Sequence, residues 1–263
     1  MYLGIDIGST STKAALIDGK ANLVAQKVVN IGTGTNGLEL VLAELLHEAG
    51  LTMEDVVYTV ATGYGRLLCD VADKQITEIS CHAKGVSYLV SGTGTIIDIG
   101  GQDSKVIRLD PLGRVANFAM NEKCAAGTGR FLEVMGRVLG CKLDELSDLA
   151  GASTREIQIS SVCTVFAESE VISQLSMGTR REDVAKGALV SIAKRVAGLC
   201  KRVGVEPKVV MTGGVALNKN MVEAMSRELK EDVQAAPYTQ AVGAIGAALF
   251  AMEAAEKKEN NNG

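Results

Sequence analysis

The sequence contains no tryptophan and only 3 prolines, and aromatic residues make up just 3% of it. Such a chain offers few aromatic surfaces for stacking, and its 29 glycines instead favour many tight turns between strands and helices. The formal net charge is -4, with no basic run before the C-terminal tail. The charge pattern of a protein that binds nucleic acid or an anionic membrane is therefore missing, and we expect neither as a main partner.

Long apolar segments are missing as well. No hydrophobic run approaches the roughly 18 residues of a membrane span, because glycine or charged residues interrupt every one. The chain enters an apolar strand pattern at Tyr2, without the basic region or cleavage site of a signal peptide. We therefore expect a cytoplasmic protein whose six cysteines are reduced thiols or metal ligands and not disulfides.

Strand and helix patterns alternate along the 263 residues, which predicts sheets covered by helices. The apolar patterns typical of buried strands cover 2–7, 14–17, 56–61, 95–99, 105–109, 157–160 and 208–211. The helical patterns cover 38–49, 129–139, 166–176, 183–203, 218–229 and 241–255. The polar tail, 256–263, lacks apolar anchors and is expected to be frayed.

An internal repeat gives the first indication of function. The segment GIDIGSTSTK at 4–13 is echoed by IIDIGGQDSK at 96–105: in both, an apolar strand ends in Asp-Ile-Gly, and a lysine precedes a second apolar strand. Each copy predicts a β-hairpin with a glycine-rich turn. Two such hairpins can hold a phosphate chain between them, since glycine permits close backbone approach and the turn supplies N–H and hydroxyl donors.

A third motif lies at 209–218, where an apolar strand pattern runs into Gly213-Gly214 and then a helix that Asn218 is placed to cap. The two glycines would let an adenosine lie against the backbone. The order of hairpin, hairpin and strand-Gly-Gly-helix resembles the superfold shared by actin, sugar kinases and heat-shock 70 ATPases. A set of ordinary tight turns is the alternative.

The superfold implies an α/β, actin-like ATPase fold, which is a ribonuclease H-like fold in duplicate with two lobes around a nucleotide cleft. Lobe I would comprise 1–92 and 241–263 and carry the first hairpin and the C-terminal helix. Lobe II would comprise 93–240 and carry the second hairpin, the adenosine motif and two cysteines considered below.

Candidate nucleotide ligands follow from these motifs. In the first hairpin, the residues expected to contact phosphates are Ser9, Thr10, Ser11, Thr12 and Lys13. In the second, they are Gly100, Gly101 and Gln102. Asp6 and Asp98 are expected to hold hydrated Mg²⁺, unless they only cap their turns. Gln102 or Asp103 would orient the hydrolytic water. The residues expected around the nucleoside are Gly213, Gly214, Ala216 and Gln240.

Two cysteines, Cys124 and Cys163, each lie where a helical pattern is about to begin. A helix N-terminus stabilises thiolate and an anionic cluster. A 4Fe-4S cluster takes four thiolates, and the simplest way for two cysteines to supply them is a symmetric dimer in which each protomer gives two. The alternative is that both are small buried hydrophobes.

The remaining titratable candidates have structural interpretations. Cys69, Cys81, Cys141 and Cys200 lie in apolar or helical stretches and are expected to pack in the interior. His82 is expected to be a partly buried structural residue, although it could ligate metal, and His47 is expected on a helix surface.

The chain closely resembles the activator component of 2-hydroxyacyl-CoA dehydratases, the ATPases also called component A or archerases. The motifs that carry the likeness span nearly the whole chain: GIDIGST at 4–10, TGYGR at 62–66, DKQ at 73–75, SCHA at 80–83, DIGGQD at 98–103, KCAAGTGRF at 123–131, CTVFAESEVIS at 163–173 and MTGGVA at 211–216. Sugar kinases and heat-shock ATPases lack the two cysteine motifs.

This resemblance implies a homodimer with one 4Fe-4S cluster bridged by Cys124 and Cys163 of both protomers, and ATP or ADP with Mg²⁺ in each protomer. A ferredoxin or flavodoxin would reduce the cluster. ATP hydrolysis would then drive a low-potential electron to a cluster-bearing dehydratase, where the carbon chemistry takes place.

Three alternatives stay open at this point. The chain could activate a benzoyl-CoA reductase or a double-cubane-cluster reductase, because the motifs do not separate these partners from a dehydratase. A small-molecule kinase of the same fold would need no iron. A non-catalytic ATP-dependent scaffold would bind ATP without a cluster.

Overall fold

Two five-stranded mixed sheets form the framework of the computed structural model, which describes residues 1–160 and 163–262. The strands are β1 (Tyr2–Ile7), β2 (Thr12–Ile17), β3 (Leu23–Val29), β4 (Tyr58–Thr62), β5 (Lys74–Gln75), β6 (Thr95–Ile99), β7 (Ser104–Leu109), β8 (Val115–Asn121), β9 (Val209–Thr212) and β10 (Val233–Ala235). The helices are α1 (Gly37–Ala49), α2 (Glu78–Leu89), α3 (Gly129–Leu139), α4 (Glu145–Gly151), α5 (Thr164–Ser176), α6 (Arg181–Val203), α7 (Lys219–Leu229) and α8 (Val242–Asn262).

The described chain divides into two compact units. Unit 1 comprises Met1–Thr93, Asp110–Val115 and the chain from Ala236 onward, and unit 2 comprises Gly94–Leu109 and Ala116–Ala235. Unit 1 holds the sheet of order β3-β2-β1-β4-β5, and the other sheet has the order β10-β9-β6-β7-β8.

The two sheets repeat one topology. In unit 1, β1 pairs with β2 in antiparallel fashion and with β4 in parallel. In unit 2, β6 pairs in the same way with β7 and β9. Both hairpins expected from the internal repeat are therefore present, and the α/β, duplicated fold predicted from the sequence is confirmed.

In unit 1, helices cover both faces of the sheet. Leu3 and Ile5 of β1 are fully buried in a cluster with Val41 of α1. On the opposite face α8 lies directly on β1, because a Cβ added at Gly4 would come within 1.9 Å of the Ala244 carbonyl oxygen. Glycine at this position lets the helix approach the strand closely enough to bury its alanine-rich side.

Unit 2 is built around α6, whose side chains form a continuous core with β6, β9 and α3. Val184, Leu189 and Ile192 of this helix are at most 1% exposed. The same core includes residues of α5 and α7, so the helices that follow Cys124 and Cys163 pack into one cluster with the second hairpin.

Two local predictions were wrong. The segment 157–160 is not a strand: Ile159 is buried in the core of unit 2, and the Ile157 carbonyl lies against Gly187 of α6, so its apolar residues pack on a helix without joining a sheet. The tail is not frayed from residue 256, because α8 continues to Asn262. Glu256, Lys257 and Lys258 are good helix formers and extend the helix beyond its packed part.

Among the described residues, no helix is both long enough and apolar enough to cross a membrane.

Candidate functional site

The first turn, residues 8–11, connects β1 to β2 and is held by backbone hydrogen bonds. The N–H of Gly8 donates to the Ser11 carbonyl at 3.0 Å, and the Gly8 carbonyl accepts from the N–H and hydroxyl of Thr33, each at 2.9 Å. Ser9 and Thr10 are half-buried, whereas Ser11 is buried. The turn thus presents serine and threonine residues on a fixed backbone, as a phosphate site requires.

Thr12 differs from the rest of the predicted phosphate contacts. It is fully buried, and its hydroxyl donates to the Ile31 carbonyl at 2.7 Å. This bond ties β2 to the segment before α1 and engages the hydroxyl proton, so Thr12 is the weakest candidate of the set.

Asp6 and Lys13 face each other across the first hairpin and form an ion pair, with Lys13 Nζ 3.2 Å from Asp6 Oδ2. Asp6 is 2% exposed, yet its Oδ1 has no hydrogen-bond partner among the described residues. Gly63, which follows β4 with a φ of 88°, leaves Oδ1 without side-chain cover: a Cβ there would lie 2.4 Å from it. A buried carboxylate oxygen without a donor needs a water or a cation, so Asp6 fits a hydrated Mg²⁺.

The second turn, residues 100–103, connects β6 to β7 and has a denser set of contacts. The N–H of Gly100 donates to the Asp103 carbonyl at 3.0 Å. Lys105 Nζ lies 2.7 Å from Asp103 Oδ2 and 3.3 Å from Asp98 Oδ2. Gln102 is exposed at the tip of the turn. Gln102 and Asp103, the two candidates for water orientation, thus differ in that only Asp103 is held by a buried cation.

Helix α3 begins directly on the second turn. The N–H groups of Gly129 and Arg130 donate to the carbonyls of Gly100 and Gly101, each at 2.8 Å. The first N–H groups of a helix have no partner within the helix, and here the turn supplies one for two of them. The backbone of the second turn is therefore hydrogen-bonded directly to the start of α3.

The Cys124 loop, residues 122–128, joins β8 to α3. Asn121 donates through Nδ2 to the carbonyls of Cys124 at 2.9 Å and Ala126 at 3.3 Å, and the Thr128 hydroxyl donates to the Ala125 carbonyl at 2.7 Å. Cys124 itself is half-buried against the core of unit 2. The loop is fixed through its carbonyls, which places a partly accessible thiol four residues before the Thr128 cap.

Cys163 is the N-cap residue of α5, with an extended backbone, and its carbonyl accepts from the Ala167 N–H at 3.0 Å. Its side chain is half-buried. The next two apolar residues, Val165 and Phe166, are 66% and 67% exposed. The expectation that Cys163 lies at a helix N-terminus is confirmed. Ser161 and Val162, which precede it, lie outside the described residues.

The other cysteines have a different environment. Burial raises the pKa of Cys69 to about 11 and that of Cys81 and Cys200 to about 12. Burial also raises the pKa of the half-buried Cys141. Cys69, Cys81 and Cys200 are buried as expected for packing residues, and such high pKa values keep them protonated near neutral pH. His82 is 3% exposed in α2, more deeply buried than expected.

The third motif follows β9 in unit 2. Gly213 has a φ of 84°, and a Cβ there would lie 2.4 Å from the Ile99 carbonyl oxygen, so only glycine fits. Gly214 is exposed and Ala216 is buried in a short 3₁₀ turn. Asn218 caps α7, as predicted, by accepting the Met221 N–H at 2.9 Å. Gln240 is half-buried in the turn before α8 and belongs to unit 1, unlike the other predicted nucleoside contacts.

Comparison with known structures identifies the fold more closely. The activator of 2-hydroxyisocaproyl-CoA dehydratase from Clostridium difficile, solved with bound ADPNP, superimposes with a TM-score of 0.96 at 49% identity and covers 99% of this chain and 98% of that one. A ROK family glucokinase from Streptomyces griseus shares the fold with a TM-score of 0.58 at 14% identity, covering 96% and 99% of the two chains. The expected actin-like ATPase fold is confirmed.

Sequence comparison gives the family. The activator of lactoyl-CoA dehydratase from Anaerotignum propionicum is 56% identical over 259 residues, which cover 98% of this chain and 100% of that protein. One of the subunits of benzoyl-CoA reductase from Thauera aromatica is 35% identical over 94% of this chain and 91% of its own length. Residues 3–251 match the model of the BadF/BadG/BcrA/BcrD ATPase family. The chain belongs to the BadF/BadG/BcrA/BcrD ATPase family.

Proposed function

We propose that this protein uses ATP hydrolysis to transfer a low-potential electron to a 2-hydroxyacyl-CoA dehydratase, through a 4Fe-4S cluster shared by two copies of the chain. The observation that carries the proposal is the direct link between a nucleotide turn and a cysteine-bearing segment. The second turn accepts hydrogen bonds from the first N–H groups of α3, and the Cys124 loop leads into that helix. Nucleotide state and cluster environment can thus be coupled within unit 2.

Cys124 and Cys163 would hold the cluster. They fit the role because both are half-buried and lie where a helix begins. Cys69, Cys81 and Cys200 are deeply buried thiols with pKa values raised by burial. Cys141 is also half-buried, but it follows the end of α3 and burial raises its pKa. Two thiolates from one chain leave two positions of a four-thiolate site to a second copy. A cluster held by these thiolates would supply one-electron chemistry between a ferredoxin or flavodoxin and the partner enzyme.

The exposed face of α5 supports sharing between two copies. Val165, Phe166 and Ile172 expose half or more of their surface, close in sequence to Cys163. Large exposed apolar side chains clustered on one element are typical of an interaction surface. A second copy of this chain would cover them while bringing its own two cysteines to the same place.

ATP with Mg²⁺ would bind at the two turns. Ser9, Thr10, Ser11 and Lys13 of the first hairpin and Gly100, Gly101 and Gln102 of the second are the phosphate contacts we propose. Asp6 would take the hydrated Mg²⁺, since its Oδ1 has no other partner among the described residues. The nucleoside would lie against Gly213, Gly214 and Ala216, with Gln240 as a further contact.

Lowering a one-electron potential by roughly 300 mV costs about 7 kcal/mol, which nucleotide binding and partner docking would have to supply. Movement of the second turn would contribute part of this free energy, because the carbonyls of that turn accept the first N–H groups of α3. In this proposal the second turn holds the start of α3, and a change of nucleotide would shift α3 together with the loop that carries Cys124.

Two other functions remain to be tested against this one. Activation of a benzoyl-CoA reductase is favoured by one relative, but at 35% identity compared with 56% for the lactoyl-CoA dehydratase activator. A small-molecule kinase of the same fold would produce a phosphorylated product and contain no iron.

Anaerobic purification followed by iron analysis and an absorbance spectrum separates these functions. We expect about four iron atoms per dimer, the content of one cubane cluster, and transfer of electrons to a dehydratase only when ATP is present. Cys124→Ser and Cys163→Ser should each lose the iron, whereas the control Cys141→Ser should keep it. Absence of iron in the anaerobic protein, or four iron atoms per monomer, would contradict the shared cluster.

A further inference from the structure

The internal repeat extends from the hairpins to the parallel strand beside each of them. Asp6 is paired in register with Lys13 on β2 and Thr62 on β4. Asp98 is paired in the same way with Lys105 on β7 and Thr212 on β9. A glycine with positive φ follows each threonine, Gly63 in unit 1 and Gly213 in unit 2. The two units thus place the same four residue types at equivalent positions.

Their contacts are not equivalent. Both oxygens of Asp98 are engaged, Oδ1 by the Thr212 hydroxyl at 2.8 Å and Oδ2 by Lys105 at 3.3 Å. Asp6 has the lysine contact through Oδ2, but its Oδ1 has no hydrogen-bond partner among the described residues, and Thr62 makes no bond to it. The carboxylate of unit 2 is saturated by protein groups, whereas that of unit 1 keeps one oxygen for another ligand.

The two lysines differ as well. The Lys105 side chain is 1% exposed and contacts two carboxylates, Asp98 and Asp103, whereas that of Lys13 is 14% exposed. A lysine is almost never fully buried unless it is paired, because an uncompensated charge in the interior is very unfavourable. Lys105 therefore neutralises a buried carboxylate and, at 2.7 Å, fixes the side chain of Asp103 in the second turn.

We propose that Lys105 is a positioning residue of the ATP site: it locks Asp98 as a structural carboxylate and holds Asp103 in place for the hydrolytic water. Asp98 is then not a metal ligand, and the metal is left to Asp6. The Asp103 carbonyl accepts the Gly100 N–H, and the Gly100 carbonyl accepts the Gly129 N–H. Lys105 thus also stabilises the backbone that connects the second turn to α3. The inference rests on the proposed ATPase function.

The first part of the test measures folding and does not depend on that function. Lys105→Met should lower Tm by about 10 °C, since it leaves the buried carboxylate of Asp98 without its ion-pair partner. Adding Asp98→Asn to this variant removes the stranded charge and should restore at least half of the loss. Lys27→Met is the matched control: Lys27 also contacts two carboxylates, Glu44 and Glu48, but at the surface, and its loss should change Tm by less than about 2 °C. An unchanged Tm for Lys105→Met, or no recovery in the double variant, would overturn the buried ion cluster.

The second part of the test uses the double variant, Lys105→Met with Asp98→Asn, in which stability is partly restored. Because Asp103 has lost its lysine, kcat for ATP hydrolysis should fall at least tenfold, while the affinity for ADP with Mg²⁺ stays within about threefold of the wild type. A purely structural lysine would give wild-type kcat once folding is restored, and that result would overturn the positioning role. If the wild-type protein itself does not hydrolyse ATP, the proposed function and the positioning role both fail, while the Tm cycle still decides whether the ion cluster exists.

Discussion

At the scale of single residues, Asp6 and Asp98 are predicted to respond differently to the same substitution. Asp6→Asn should reduce the gain in ADP affinity that Mg²⁺ provides by at least about tenfold, because it alters the carboxylate that we propose for the metal, whose Oδ1 has no hydrogen-bond partner among the described residues. Asp98→Asn should leave that gain within about threefold of the wild type, since both of its oxygens bind protein groups. Isothermal titration with and without Mg²⁺ measures both, and the reverse pattern would exclude Asp6 as the metal ligand.

Gly213 provides a prediction about stability. Gly213→Ala would combine a φ of 84° with a Cβ 2.4 Å from the Ile99 carbonyl oxygen, and we expect it to lower the free energy of unfolding by about 2–4 kcal/mol. Gly198→Ala is the control, because this helical glycine has no atom within 4 Å of an added Cβ, and it should stabilise by about 0.5–1 kcal/mol. Urea denaturation of both variants provides the measurement, and equal stability of the two would argue against the tight packing of the third motif.

Residue roles were predictable from the sequence only as far as a motif marks them. The repeat places Asp6 and Asp98 at equivalent positions, so sequence reasoning assigned both of them to Mg²⁺. The hydrogen bonds of Asp98 come from the Thr212 hydroxyl on another strand and from Lys105. The sequence does not reveal that Lys105 is buried, so it cannot show which of the two carboxylates already has its hydrogen bonds. For the same reason the sequence alone assigns no role to Lys105, although the repeat aligns it with Lys13.

At the scale of elements, the hydrogen bonds between β8 and the Cys124 loop lead to a prediction about Asn121, at the end of β8. Asn121→Ala removes two hydrogen bonds to the carbonyls of the Cys124 loop, so a cluster held by Cys124 should lose iron to a chelator several times faster. Asn117→Ala is the control, since Asn117 lies on the same strand but donates to Val203 at 3.4 Å, away from the loop. Equal rates of iron loss for the two variants, measured anaerobically, would mean that Asn121 does not support the site.

Elements with a strong periodic pattern were predicted best. β1, β6 and α3 have the predicted bounds, because their apolar residues recur at the period of a buried strand or helix. β8 was not predicted, since most of its residues are exposed and lack the alternation of a half-buried strand. Helix α2 was missed too: it crosses α8 at Gly85, where a Cβ would lie 2.2 Å from the Val242 carbonyl oxygen. Close packing there requires a glycine, and its low helix propensity weakens the helical pattern of this segment of the sequence.

At the scale of the whole molecule, the proposed shared cluster would make iron content and association state interdependent. In our proposal each chain offers Cys124 and Cys163, so the cluster would exist only where two chains meet. Conversely, four bonds to iron would add to the apolar contacts of α5. Removing the iron should therefore weaken the dimer, and weakening the dimer should release the iron.

Phe166 allows this interdependence to be tested without touching a cysteine. Phe166→Asp places a charge on an exposed side chain close to Cys163, where burial against a second copy would make it costly, so the variant should be mainly monomeric and largely free of iron. Leu143→Asp is the control, because Leu143 is also an exposed apolar residue of unit 2 but lies between α3 and α4, away from Cys163 in the sequence. Anaerobic sedimentation velocity with iron analysis of the same samples measures both properties. If Phe166→Asp became monomeric yet kept its iron, the cluster would belong to a single chain, and the role of the second copy would have to be abandoned.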